Sequence, residues 1–394
     1  MEEKKLTVFF YPAWYPHRYD PMFGLFVKRH AEAVSQFAEV GVIFVIGEYI
    51  EAPKRYDLEF ANEAGVKTVR IYFKKSKRLG VSYFINGIRY LQAAKKGYDF
   101  LVTRMGEPDI NHVHVLTRAG LFPLWKKITS GIPYLITEHW SRYLPINKGA
   151  YSGIIRKFLT EKIVERAFTV TPVSQRLAEA MQQHGLKNSY YRLINNVVDV
   201  DRFLPVQKGQ ICARWVHVSC FDEHPKNITG LLSGFAKAHT QNPSLRLTLI
   251  GDGIDWKVSK TFAENLNLGN DIITFTGLLE GKDLSDELQR HDAFVMFSRF
   301  ENQPVVIIEA FACGLPVVAT DVGSIPEMLA NHRGIVVQSE NADALADAFI
   351  VMSEGKFEFS RASIRQYAVE NYSFSAVGKK FSELYLAAIE NDRP

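Results

Sequence analysis

A chain of 394 residues, 47% hydrophobic and 23% charged, has a globular composition and the length of two ordinary domains rather than one. No apolar run reaches bilayer-spanning length, and the opening MEEKKLTVFFYPAWYP passes from charged residues straight into a strand-like run without a signal-peptide pattern. The formal net charge of +4 divides unevenly: residues 1–205 hold 30 Lys+Arg against 19 Asp+Glu, the rest 17 against 24, so a half of net +11 is joined to a half of net −7.

Taken in chain order, strand-like runs fall at 6–11, 41–47, 68–73, 111–116, 133–138 and 168–174 in the first half. In the second they fall at 214–219, 246–251, 272–277, 293–298, 315–320 and 334–338. Between most of them lie stretches of helical periodicity, such as GLFVKRHAEAVSQFAEV and NITGLLSGFAKAHTQ. Strands alternating with helices imply parallel sheets built from right-handed crossovers. The fold class is therefore α/β: two Rossmann-like, doubly wound parallel-sheet domains, with ligands expected at the carboxyl ends of the strands. The expected boundaries are 1–205 for the first domain, 206–374 for the second, and 375–394 for an amphipathic terminal helix.

Three cysteines, Cys212, Cys220 and Cys313, lack metal-ligand spacing and read as free thiols of a cytoplasmic protein. The basic first half suits an anionic partner: a phospholipid surface or a lipid pyrophosphate. Nucleic acid is set aside for want of a binding motif. Within that half, residues 72–97 mix Lys74, Lys75, Lys77 and Arg78 with Tyr83, Phe84, Ile85, Ile88 and Tyr90. Such a segment either rests on an anionic membrane as a peripheral contact or packs its apolar side on the core.

The most informative stretch is DAFVMFSRFENQPVVIIEAFACGLPVVATDVGSIPE, 292–327. A strand ends in the loop SRFENQ, Pro304 takes the first helical position, and the helix stops at Gly314. The helix start leaves backbone N–H groups free at a strand's carboxyl edge, which suits a phosphate. Glu301 in the loop and Glu309 in the helix's second turn can approach one ligand, and a carboxylate accepts hydrogen bonds from adjacent sugar hydroxyls. Ile307, Ile308, Ala310 and Phe311 surround Glu309, so its charge requires a partner.

This stretch resembles the signature of glycosyltransferase family 4, retaining enzymes of the GT-B fold whose two domains face a cleft. Other pieces match in order: Gly24 in PMFGLFVKRHAEAV, DINHVH at 109–114, PYLITEHW with His139, VSQRLAEAM, INNVVDVDRF, KNITGLLSGF, LIGDG and FTG. The resemblance implies a nucleotide-diphosphate-sugar as co-substrate and a glycan or lipid-linked acceptor, in cell-surface polysaccharide synthesis at the inner face of the membrane. It implies that Glu309 holds the ribose and that Glu301 faces the donor sugar. The backbone at Asn302, Gln303 and Val305 meets the sugar or diphosphate, and Lys226 and the Gly24 loop neutralise or approach the diphosphate. His139 faces the transferred sugar, and Leu278 sits near the base. His112 and His114 are left as strand residues packing the sheet.

No metal or other cofactor is expected, since the one Asp-x-Asp, Asp199–Asp201, lies in the linker and Asp252 and Asp255 have the wrong spacing. One departure stands out: where the family has Gly-Arg-Leu, this chain has Ser219, Cys220 and Phe221. His224 or Arg299 is then the candidate substitute for the lost arginine. The alternatives are an epimerase on the same fold and a silent nucleotide-binding subunit.

Overall fold

The computed structural model describes residues 5–48, 55–77, 81–116, 118–147, 149–205 and 207–391, so Arg78 of the basic segment lies outside the described residues. The chain separates into two compact units. One runs to Val197 and takes in the helix Phe374–Asn391; the other is Val198–Ser373. The break precedes the expected position at 205 because Val198 and Phe203 are buried in the second unit's core. There the Val198 amide also donates to the Tyr372 carbonyl at 2.8 Å.

The first unit is a seven-stranded sheet. Its strands are β1 (Thr7–Pro12), β2 (Glu39–Glu48), β3 (Tyr56–Glu63), β4 (Val66–Lys74), β5 (Ile110–His114), β6 (Tyr134–Glu138) and β7 (Thr169–Pro172). They lie in the order β3-β4-β2-β1-β5-β6-β7. The central strands are buried on both sides, as helices covering both faces of a parallel sheet require.

β3 corrects the expectation of wholly parallel pairing. It runs antiparallel to β4 through a two-residue turn at Ala64 and Gly65, both with positive φ. As an edge strand it alternates half-buried and exposed residues, so YDLEFANE lacks the apolar run that marks its neighbours.

The second unit is a six-stranded, wholly parallel sheet: β8 (Arg214–Val218), β9 (Arg246–Ile250), β10 (Ile273–Gly277), β11 (Ala293–Met296), β12 (Val317–Thr320) and β13 (Gly334–Val337). The order β10-β9-β8-β11-β12-β13 reverses direction between β8 and β11, just as the first sheet reverses between β1 and β5. Crevices open beyond the carboxyl ends of strands at such reversals. A ligand site is therefore expected among the residues that follow β1, β5, β8 and β11. Among the described residues no helix is long and apolar enough to cross a membrane.

Candidate active site

In the second unit the chain leaves β8 through Ser219–Asp222 and turns through the short helix Glu223–Lys226. Asn227 follows with φ 51° and caps the next helix by accepting from the Gly230 amide at 3.2 Å. This turn delivers Lys226 to the end of β11. Its Nζ donates to Glu301 Oε1 at 2.5 Å, and the Ser298 hydroxyl donates to the same oxygen at 2.9 Å. Both side chains of the pair are at most 16% exposed. Burial works against the lysine's charge, but the Glu301 carboxylate outweighs it and holds the pKa above the usual lysine value.

The Glu301 loop is held from behind. Gly323 packs on it with φ 59°, where an added Cβ would come within 2.4 Å of the Glu301 carbonyl oxygen. The Ser324 amide and hydroxyl both donate to the Asn302 carbonyl at 2.9 Å. The DVGSIPE stretch therefore aims a carboxylate whose own loop has no regular structure.

Pro304 corrects the sequence expectation by one position: it is the cap, with extended ψ, and the helix itself is Val305–Ala312. No side chain caps this helix; Asn302 and Gln303 lie in the loop just before the cap, and Val305 opens the first turn. Glu309 is 3% exposed, between fully buried Ile308 and Ala310. Leu278, just past β10, is exposed.

The arginine substitute suggested by the sequence is otherwise engaged. Arg299 donates to Asn227 Oδ1 at 2.8 Å and ion-pairs with Glu223 and Glu340, pinning the turn that carries Lys226. His224 is exposed and lies against Phe300, while Cys220 is exposed.

In the first unit Gly24 precedes the helix Leu25–Ser35 with φ 68°, and a Cβ there would sit 2.4 Å from the Trp14 backbone. That close approach, just past β1, leaves room for glycine only. His139 follows β6 directly and is 8% exposed. It lies parallel to His114 at 5.7 Å, with their nearest nitrogens 3.5 Å apart, and its ring is 5.2 Å from that of His30. Burial drives the pKa of all three below the ordinary histidine value, His30 to about 4, so these imidazoles are neutral at neutral pH.

Sequence spacing gives no sign of this cluster. Nitrogens of His30, His114 and His139 lie within 4.8 Å of one another, a spacing able to hold a metal ion. The expectation of no metal weighs the Asp-x-Asp and cysteine spacings and does not see this trio. His112, set aside with His114 as packing, bridges Tyr385 OH and Thr137 Oγ1 at 2.7 Å each.

Sequence reading also missed Glu138. This fully buried carboxylate accepts from the backbone amides of Leu116, His139 and Trp140, each at 2.9 Å, and so orders the loops after β5 and β6. Burial raises its pKa, against the pull of Arg142 and those amides.

Two family descriptions tile this chain. "Glycosyltransferase Family 4" matches residues 30–202, and "Glycosyl transferases group 1" matches 216–370. The chain belongs to the family 4, group 1 glycosyltransferases. Among solved structures, sucrose-phosphate synthase from Thermosynechococcus elongatus matches this chain with a TM-score of 0.73 at 19% identity, covering 98% of it and 100% of that one. Anabaena Alr3699/HepE in complex with UDP and glucose matches at 0.67 and 17% identity, covering 96% and 98%. At such identities the likeness establishes the fold, which is GT-B.

Among curated relatives, N-acetyl-alpha-D-glucosaminyl L-malate synthase of Bacillus anthracis is 23% identical over 58% of this chain and 62% of its own length. The chain spans about three fifths of the length of the first curated relatives it matches.

Proposed function

We propose that this family member is a retaining glycosyltransferase that moves a sugar from a nucleotide-diphosphate-sugar to a hydroxyl of a glycan or lipid-linked acceptor in cell-surface polysaccharide synthesis. The observation that carries this reading is the buried Lys226–Glu301 pair at the β8/β11 reversal, with buried Glu309 on the adjoining helix. Breaking a sugar–phosphate bond requires the leaving diphosphate to be stabilised as its charge grows. In this reading Lys226 and the uncapped start of the Val305–Ala312 helix supply that stabilisation, so no metal is called on.

Glu301 stands by the anomeric carbon, where an oxocarbenium-like transition state gathers positive charge and a carboxylate lowers its energy. Transfer proceeds on the face from which the diphosphate leaves, which preserves the anomeric configuration. Glu309 accepts from the ribose hydroxyls, the backbone at Asn302, Gln303 and Val305 meets the sugar or diphosphate, and Leu278 lies by the base. From the first unit, Gly24 allows a backbone loop to approach the diphosphate and neutral His139 hydrogen-bonds the transferred sugar. The three free cysteines and the lipid-linked class of acceptor favour work in the cytoplasm at the inner face of the membrane.

A thermal-shift screen of UDP, GDP and ADP with their sugars tests the proposal, since a ligand bound only by the folded state raises its melting temperature. One base and one sugar are expected to stand out, and Glu309→Ala to reduce that shift. Equal shifts in Glu309→Ala and the parent would refute the ribose role, and no shift with any nucleotide sinks the transferase reading.

A further inference from the structure

A cavity of about 370 Å³ opens in the first unit beside His139, with Trp14, Trp140, Arg118 and Arg142 among the residues that line it. The rings of Trp14 and Trp140 stand 5.1 Å apart, and Phe26 joins Trp14, at 6.2 Å, to His139, at 4.6 Å, so the aromatic wall of the cavity continues to the histidine cluster. Lys75 and Arg156 also line it, making four cations, and no described lining residue is acidic.

Arg142 sets this cavity apart from an ordinary basic groove. It is 1% exposed, its Nη2 donates to the Leu116 carbonyl and Tyr143 OH, and its guanidinium lies 4.4 Å from the Trp140 ring. Its Nε and Nη1, however, are buried with no partner. Leaving such donors unmet is costly, more so on a charged group. Glu138, whose charge acts on Arg142, has its oxygens engaged by the amides of Leu116, His139 and Trp140. The guanidinium thus has fork donors to offer a ligand, and phosphate oxygens are the acceptors that best match them.

The rim indicates what the anion is attached to. Tyr83, in the first turn of the helix Ser82–Met105, and Arg156, in the first turn of the helix Ile154–Arg166, both line the cavity. Beside them those turns carry Phe84, 72% exposed, and Ile154 and Ile155, 89% and 68% exposed. Large apolar side chains next to cations are what a lipid chain ending in phosphate meets favourably.

We propose that this cavity binds the phosphate or diphosphate of a lipid-linked acceptor on Arg142 and Arg118, with the lipid chain leaving over Tyr83, Phe84 and Ile154. The inference rests on the glycosyltransferase reading and gives it an acceptor class. It brings the acceptor's head next to His139 within the same unit.

Trp14 and Trp140 make the test optical. Intrinsic fluorescence of the full chain is titrated with farnesyl diphosphate below its micelle concentration, and in parallel with farnesol and with inorganic pyrophosphate. Farnesyl diphosphate is expected to bind at least about tenfold tighter than either control, and Arg142→Gln or Arg118→Gln to lower that affinity at least about tenfold, one to two charge-assisted hydrogen bonds' worth. If Arg142→Gln does not fold, Arg118→Gln, at a partly exposed position, carries the test.

Pyrophosphate binding as tightly as farnesyl diphosphate overturns the lipid-linked assignment. Undiminished affinity in Arg118→Gln and in any folded Arg142→Gln overturns the site. Nucleotide thermal shifts, measured on the same samples, stay unchanged in both variants. A parent that gives no nucleotide shift is a failure of the transferase reading, separate from either result.

Discussion

The two sheets share a strand order across their reversals, yet their carboxyl edges are furnished in opposite ways. Beyond β8 and β11 the second unit places a lysine and a glutamate in direct contact, both largely buried. Beyond β1, β5 and β6 the first unit gathers His30, His114 and His139, made neutral by burial. A charged pair can be kept out of water because each partner compensates the other. An imidazole can be kept out of water alone because it can give up its proton. One edge is suited to meeting a charge that develops on a leaving group, the other to offering hydrogen bonds to neutral hydroxyls.

The largest expected effect that could break this contrast is the response to acid. His30, His112, His114 and His139 all have pKa values depressed in the folded state by burial. Between those values and 6.5 the unfolded chain binds protons that the folded chain does not, so stability falls as pH falls through that window. Each group contributes a slope of up to about 1.4 kcal/mol per pH unit. Burial also depresses His217 in β8, to about 4, and His291 before β11. Four such groups crowd the first unit's edge, however, so hydrogen exchange at pH 5 should show β1, β5 and β6 losing protection before β8 and β11; the reverse order would contradict the assignment. Lys226 has the opposite sign: its raised pKa gives stability that is complete below the unfolded lysine value and fades as pH climbs through the folded one.

Next in size is the pair itself. Lys226→Met leaves Glu301 buried without its cation and should cost about 3 kcal/mol. Adding Glu301→Gln should recover much of that loss, and a double-mutant cycle on thermal unfolding measures the recovery. Simple additivity would mean that the contact carries no coupling. Gly323→Ala, which places a side chain at positive φ and against the Glu301 and Asn302 carbonyls, should cost about 2–4 kcal/mol of stability while lowering turnover. Unaltered turnover would show that the loop does not need this support. A smaller effect, about 2 kcal/mol in binding, is expected for nucleotide affinity in Glu309→Ala, by loss of charge-assisted hydrogen bonds. Glu301→Ala should instead slow transfer with nucleotide affinity held, and equal losses in the two variants would erase the distinction between their roles.

Legibility in the sequence follows the same division. The second unit's central strands β8, β11 and β12 stand out because both of their faces are covered, and Glu301 and Glu309 fall within one stretch bounded by a strand and a glycine stop. Edge strand β3 was hidden because none of its side chains is fully buried, and its turn, Ala-Gly, carries none of the Asn or Asp that advertise a hairpin. The histidine cluster was hidden for another reason. Its members come from a helix, a strand and a post-strand loop far apart in sequence, and only the sheet order brings them together. Glu138 had no signal beyond its place in ITEHW, since a buried acid that serves backbone amides looks in sequence like any other acid.

The helix Phe374–Asn391 places Phe381 and Tyr385 in the core of a unit whose other residues end at Val197. During synthesis the contiguous second unit leaves the ribosome before this helix does, so it can reach its native state while the first still lacks part of its interior. At about 5–20 residues per second, the first unit waits on the order of ten seconds or more with apolar surface uncovered. Chaperone demand on the nascent chain should therefore fall on its earliest-made half, and a stop codon placed just before Phe374 would leave a folded second unit tethered to an unfinished first one.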